Sequence, residues 1–255
     1  MWDRVSFKAT AKANFKASYW PFIAVSVLYT LLFSDLASVS IDVSAEVEEL
    51  IYLTQVYGIE TGQDALYMLQ YTINLLAPYA ISSTILGYAI ALLVANPYEV
   101  GASRFYLENT TFHFAPFSRV AMGFKANFGN VVLTQFLRNL FIFLWSLLFI
   151  IPGIVRSYGY FAVPFILAEN PNLDHRRVLD LSRQMTRGYK GEIFVTDLSF
   201  LGWHLLSVFT FGILSIFYVN PYYYATRAEI YRFIRSKAME QGITSPHELP
   251  GMGTL

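Results

Sequence analysis

Cysteine is absent, which removes a disulfide framework, a thiolate metal site and a cysteine nucleophile together. Charge is scarce too: 14% of residues are Asp, Glu, Lys or Arg, where a soluble domain carries about a quarter. The scarcity is uneven. No lysine or arginine occurs between Lys16 and Arg104, yet that gap holds Asp42, Glu46, Glu48, Glu49, Glu60 and Asp64. No Walker loop, HExxH, Gly-x-Ser-x-Gly or dinucleotide fingerprint is present, so the common hydrolytic and nucleotide chemistries lack a motif. The four histidines, His113, His175, His204 and His247, lie in separate segments and outline no metal site. No cofactor is expected, and the chain reads as a non-enzyme.

What is present is apolar. Hydrophobic residues make up 55% of the chain and aromatics 17%. The apolar runs predict an all-α, polytopic membrane bundle of about six spans: 18–36, 75–97, 130–150, 153–170, 193–210 and 211–231. The fourth contains Arg156, Gly159 and Pro164, so a tilted, kinked or re-entrant path fits it better than a straight one. Six spans put both termini on one side. Counting Arg227 at the inner end of the sixth span, sixteen of the eighteen basic residues then fall on the cytoplasmic side, and Arg138 and Arg156 are the two exceptions, within the third and fourth spans. An excess of Lys and Arg on cytoplasmic loops is the rule for membrane proteins, and a five-span chain would break it.

This divides the chain into a basic amphipathic interfacial helix (1–17), a six-span membrane domain (18–236) and a flexible cytoplasmic tail (237–255). Within the domain, 37–74 reads as an acidic extracytoplasmic segment whose apolar residues recur at three and four, the spacing of amphipathic helices. In the first segment Phe7, Ala11, Phe15 and Tyr19 make an apolar stripe, tracked one position behind by Lys8, Lys12 and Lys16. Together with Arg183 and Arg187 these lysines are placed against anionic lipid headgroups. No nucleic-acid motif accompanies the basic clusters, and nucleic acid is not an expected partner; a membrane-protein partner is.

An internal repeat is visible. Lys-Ala-Asn-Phe occurs at 12–15 and again at 125–128, and Asn96-Pro97-Tyr98 returns as Asn220-Pro221-Tyr222. The copies order the spans as three parallel helical hairpins. Each Asn-Pro-Tyr element has two readings, a headgroup anchor through its tyrosine or a hinge at its proline.

The ionisable residues inside spans are the candidate site, because a charge in hydrocarbon is costly unless paired or wet. Asp197 and His204 lie seven apart and so on one helix face; Arg138 and Arg156 are placed to meet Asp197 from neighbouring spans. Such a polar centre binds a headgroup or relays a proton, or it is a buried ion pair that only fixes packing.

Further along, the run from Ile151-Pro152-Gly153 through Tyr158-Gly159-Tyr160-Phe161-Ala162-Val163-Pro164-Phe165 to Glu169-Asn170-Pro171, with Arg187-Gly188, Gly202-Trp203 and Asn220-Pro221-Tyr222, is similar to a family. It is the bacterial multi-pass membrane family catalogued as domain of unknown function 975. The resemblance implies a protein of the bacterial cytoplasmic membrane and assigns no activity. The expected function is therefore non-enzymatic: handling or sensing an amphiphilic substrate, or serving an export or envelope machine as accessory subunit. The alternative is a self-sufficient small-solute or ion transporter with a polar site between the third, fourth and fifth spans.

Overall fold

The structure is a computed structural model that describes residues 2–34, 44–57, 61–112 and 114–252. Among these, twelve α-helices and no strand occur. They are α1 (Arg4–Ala17), α2 (Tyr19–Ser34), α3 (Ser44–Tyr57), α4 (Gly62–Ile90), α5 (Asn96–Phe112) and α6 (Met122–Lys125). The second half holds α7 (Phe128–Leu148), α8 (Ile150–Gly159), α9 (Val163–Glu169), α10 (His175–Met185), α11 (Lys190–Phe209) and α12 (Asn220–Glu240). The expected all-α class is thus observed. The chain forms two compact units, one of Met1–Thr30 with Leu92–Leu255, the other Leu31–Ala91.

Helix starts follow local chemistry. Asp3 and Asp174 accept backbone N–H groups in the first turns of α1 and α10, and Thr61 with Asp64 forms a capping box on α4. Within the Leu31–Ala91 unit, the Tyr71 hydroxyl donates to Glu49 at 2.7 Å and that of Tyr79 donates to Glu46. These bonds join α3 to α4 and give two acidic-segment carboxylates a structural use. The remainder of 37–74, residues 37–43 and 58–60, lies outside the described residues.

Four helical runs are long and apolar enough to cross a membrane: Gly62–Phe112, Phe128–Leu148, Ile150–Glu169 and Lys190–Phe209. Tyr19–Leu31 is apolar but shorter. Large side chains on these helices stand exposed, among them Ile150 (76%) and Phe209 (82%). Apolar surface of that extent points to membrane insertion. The stretch expected as a sixth span is not among these four. It begins at a Phe211–Gly212 turn, passes a π-helical turn and continues as α12, whose Arg227, Glu229, Arg232 and Arg235 enter polar contacts. The fourth span is broken, as its composition anticipates: α8 ends at Gly159, Tyr160–Ala162 turn, and Pro164 sits at the start of α9, where its missing N–H costs nothing.

The core of the larger unit lies where α5, α9, α10 and α12 meet. All seven residues of α9 are buried, as are fourteen consecutive or near-consecutive residues of α5 from Asn96 to Thr110. Expected as an interfacial surface, α1 instead docks on α12 through its stripe, with Ala11 and Phe15 buried and the Phe7 ring 5.3 Å from Phe233; Lys12 and Lys16 stay exposed.

The expected flexible tail, 237–255, is held in its described part; 253–255 lie outside the described residues. Beyond α12 the chain folds back, burying Leu249 completely; Arg177 bonds the Glu248 carboxylate and Arg235 donates to Leu249 O at 2.7 Å. Glu169 accepts from Gly251 N at 3.0 Å. The Arg177 hydrogen bond, helped by Thr244, holds the Glu248 carboxyl below its ordinary range. A lowered folded-state value contributes stability that is complete above the unfolded carboxylate value and fades as pH falls through the folded one. Limited proteolysis should therefore find 241–252 resistant at neutral pH and cleaved in acid below the ordinary carboxylate range, with Glu248→Gln cleaved readily at both.

Candidate functional site

Both Asn-Pro-Tyr elements are preceded by a π-helical turn, Ala91–Ala95 before Asn96 and Ser215–Val219 before Asn220. Proline lacks an N–H and its ring crowds the carbonyl four residues back; widening one turn relieves that crowding. At the second copy the carbonyl four back is Phe217 O, which accepts from the Tyr19 hydroxyl at 3.4 Å. Asn220 holds the turn, donating to Thr30 Oγ1 at 3.1 Å and accepting from Ser215. The tyrosines are not headgroup anchors. Tyr98 is buried and donates to Val25 O at 2.7 Å, and Tyr222 is buried against the Phe200 ring. The Lys-Ala-Asn-Phe copies are not structural equivalents: Asn14 lies inside α1 and donates to Glu229, whereas Asn127 breaks the chain in a left-handed conformation. A shared tetrapeptide needs a shared environment to adopt a shared shape, and these two lack it.

Between α2, α5, α9 and α12 lies a cavity of about 260 Å³. Its wall is Tyr29 from α2, Glu99, Ala102, Ser103 and Tyr106 from α5, Pro164 and Phe165 from α9, and Tyr223, Tyr224 and Arg227 from α12. Two charge pairs adjoin it. Arg138 of α7 makes a two-pronged pair with Glu99, Nη2 to Oε2 at 2.8 Å and Nη1 to Oε1 at 3.2 Å, and Gln135 donates to the same carboxylate at 3.0 Å. Arg227 is held more loosely. Its Nη1 lies 3.7 Å from Asp197 Oδ2, beyond hydrogen-bond length, and donates to the Tyr223 hydroxyl at 2.7 Å. The Arg227 guanidinium stacks over Phe161 at 4.6 Å. Asp197 Oδ1 is buried with no hydrogen-bond partner among the described residues.

The residues expected to form a polar centre are thus divided. Asp197 and His204 share a face of α11 and both approach Tyr223, His204 with its ring edge-on at 6.1 Å. Arg138 reaches Glu99 and not Asp197. Arg156 is turned away, stacked over Trp145 at 4.7 Å and near enough to Lys190 for the two like charges to repel. Among the residues expected at headgroups, Arg183 and Arg187 are exposed, while Lys8 turns inward to Ser199 Oγ at 3.1 Å and sits over the Phe200 ring. Burial, then Arg4, lowers the Lys8 pKa.

Sequence reasoning missed Glu99 and Arg227 as site residues. Both carry a signal in hindsight: each follows a repeated Asn-Pro-Tyr within two turns, and Glu99 is a carboxylate closing an apolar run. Hydroxyls, one guanidinium and aromatic faces surround a volume suited to a small polar group; among the described residues no group of three or more His, Cys, Asp or Glu could hold a metal.

Comparison with known proteins adds one finding. The family model described as protein of unknown function (DUF975) matches residues 4–238, and the chain belongs to that family. No curated protein and no solved structure matches.

Proposed function

From membership of a family without an assigned activity, we propose that this protein binds a small polar or amphiphilic molecule in the cavity between α2, α5, α9 and α12, without transforming it. The observation that carries this reading is the cavity itself: polar at Arg227, Glu99 and Ser103, largely aromatic elsewhere, and set beside apolar helices long enough to span a bilayer. The setting we assign is a bacterial cytoplasmic membrane, with six spans in three hairpins and both termini inside, as the positions of the basic residues favour. There the protein handles or senses its ligand, alone or as the accessory subunit of an export or envelope machine, with exposed Lys12, Lys16, Arg183 and Arg187 on anionic headgroups.

Native mass spectrometry of the protein extracted in native lipid discs tests this. A small molecule should be retained near one per chain and lost from Ala102→Leu, whose larger side chain enters the cavity. Retention unchanged in that variant, or no ligand at all, defeats the cavity reading. A second reading, small-solute transport, draws on the paired π-helical turns, since such turns are often sites of helix adjustment; it requires the retained molecule to cross proteoliposomes.

A further inference from the structure

Arg227 differs from the other arginines that the core encloses. Arg104 spends its donors on Glu108, Ala168 O and Met252 O, and Arg138 spends its own on Glu99 and Asn139. Arg235 is bound to Glu169 and Leu249 O. Arg227 donates one hydrogen bond, to Tyr223; among the described residues its Nε and Nη2 have no acceptor. It is nevertheless enclosed by protein, and the 25% of its side chain that remains accessible accompanies its place in the cavity wall. Tyr224, in the same wall, likewise engages no hydrogen-bond partner through its hydroxyl among the described residues. An enclosed guanidinium with two idle donors beside an idle hydroxyl is an incomplete site.

Resting on the cavity reading above, we infer that the ligand carries a phosphate-type oxyanion, and that Arg227 and Tyr224 bind it while Asp197 stands in for its charge when the cavity is empty. Three features favour an anion over a cation. Glu99, the acidic group in the wall, is already neutralised by the two-pronged Arg138 pair and by Gln135, so it has little left to offer a cation. Asp197 does not line the cavity. Its 3.7 Å distance to Arg227 balances charge without occupying the fork that a planar guanidinium presents to oxyanions. Phosphate can use more donors than a carboxylate, and here the fork and a hydroxyl converge.

The arrangement gives two members of one ion pair opposite effects. Asp197 competes with the ligand for Arg227, so Asp197→Asn should tighten oxyanion binding by about tenfold, the equivalent of ~1.4 kcal/mol. Arg227→Gln should abolish it. A merely structural pair predicts the same sign for both.

The experiment measures thermal unfolding of the full chain in uncharged detergent under three additions at constant ionic strength: sodium phosphate, phosphatidylglycerol, and a phosphate-free galactolipid. The wild type should be stabilised by a phosphate-bearing addition and not by the galactolipid, Asp197→Asn more so, and Arg227→Gln not at all. If Arg227→Gln does not fold, the double variant Asp197→Asn/Arg227→Gln, which removes both charges together, should fold and ignore all three. A response to inorganic phosphate alone identifies a free solute; one to phosphatidylglycerol but not inorganic phosphate identifies a lipid headgroup. Equal stabilisation of wild type and double variant overturns the inference by placing the anion at surface cations, as does weaker binding in Asp197→Asn. If Ala102→Leu expels a ligand that is indifferent to Arg227, the cavity reading survives and the oxyanion assignment alone falls.

Discussion

Alanine at Gly101 should cost about 3 kcal/mol or more, the upper end of what overpacking a core imposes. A Cβ built there falls 1.8 Å from Val120 O and 2.6 Å from Val120 C, both backbone atoms that no rotamer change can move. Gly123 returns the contact: its Cβ would lie 1.9 Å from Pro97 O and 3.2 Å from Gly101 N. The first two turns of α5 and the segment 120–123 therefore touch backbone to backbone, and a methyl group on either must push them apart. The consequence reaches the cavity, because the same turns of α5 carry Glu99 and Ala102 into its wall. Thermal unfolding in detergent should show both Gly101→Ala and Gly123→Ala strongly destabilised. Gly202→Ala is the internal control. Nothing lies within 4 Å of its added Cβ, and a solvent- or lipid-facing helix gains about 0.5–1 kcal/mol when glycine becomes alanine. Equal behaviour of Gly101 and Gly202 variants would refute the close-contact account.

Loss of Arg104 should be as severe. The side chain is 1% exposed and joins three parts of the larger unit: its own helix through Glu108 at 2.5 Å, α9 through Ala168 O at 3.0 Å, and the folded-back tail through Met252 O at 3.0 Å. Removing one partner of a buried pair costs about 3–5 kcal/mol, chiefly because it leaves the other charge uncompensated. Glu108 keeps Arg119, whose Nε lies 2.9 Å away, so Arg104→Met should fall at the lower end of that range. Arg104→Lys should recover little, since an ammonium cannot reach three acceptors in the plane of a guanidinium. A double-mutant cycle with Glu108→Gln measures the pair: a coupling of 1 kcal/mol or more is expected between groups sharing one network. A coupling near zero would mean that the backbone carbonyls, and not Glu108, are what Arg104 serves.

These two predictions fall on residues that sequence reasoning passed over, and the reason is physical. Arg104 was legible as one of the cations lying between the second and third expected spans, because the distribution of Lys and Arg follows membrane topology. Position along the chain does not reveal burial, and the helix that carries Arg104 runs on to Phe112, far beyond the expected span end at 97. Gly101 sits in a helix like many another glycine; its demand for a missing side chain arises from Val120, nineteen positions away and placed there by the 3-10 turn Phe117–Ala121.

Helical class, apolar runs, the basic entry segment and the awkward fourth span were all determined by sequence, since each depends on composition and period over a few neighbouring residues. Asn-Pro-Tyr was likewise recognisable as a repeated device; that a π-helical turn precedes both copies follows from proline chemistry acting locally. Pairing was not. Asp197 could be seen to need a cation, and Arg138 and Arg156 were the candidates; tertiary packing instead gave Asp197 to Arg227, which was not among them, and Arg138 to Glu99. The cavity belongs wholly to that level. Four helices drawn from residues 29 to 227 must converge before tyrosines, one carboxylate and one under-used guanidinium face a common space, because charge recognition depends on distance through space and the sequence records only distance along the chain.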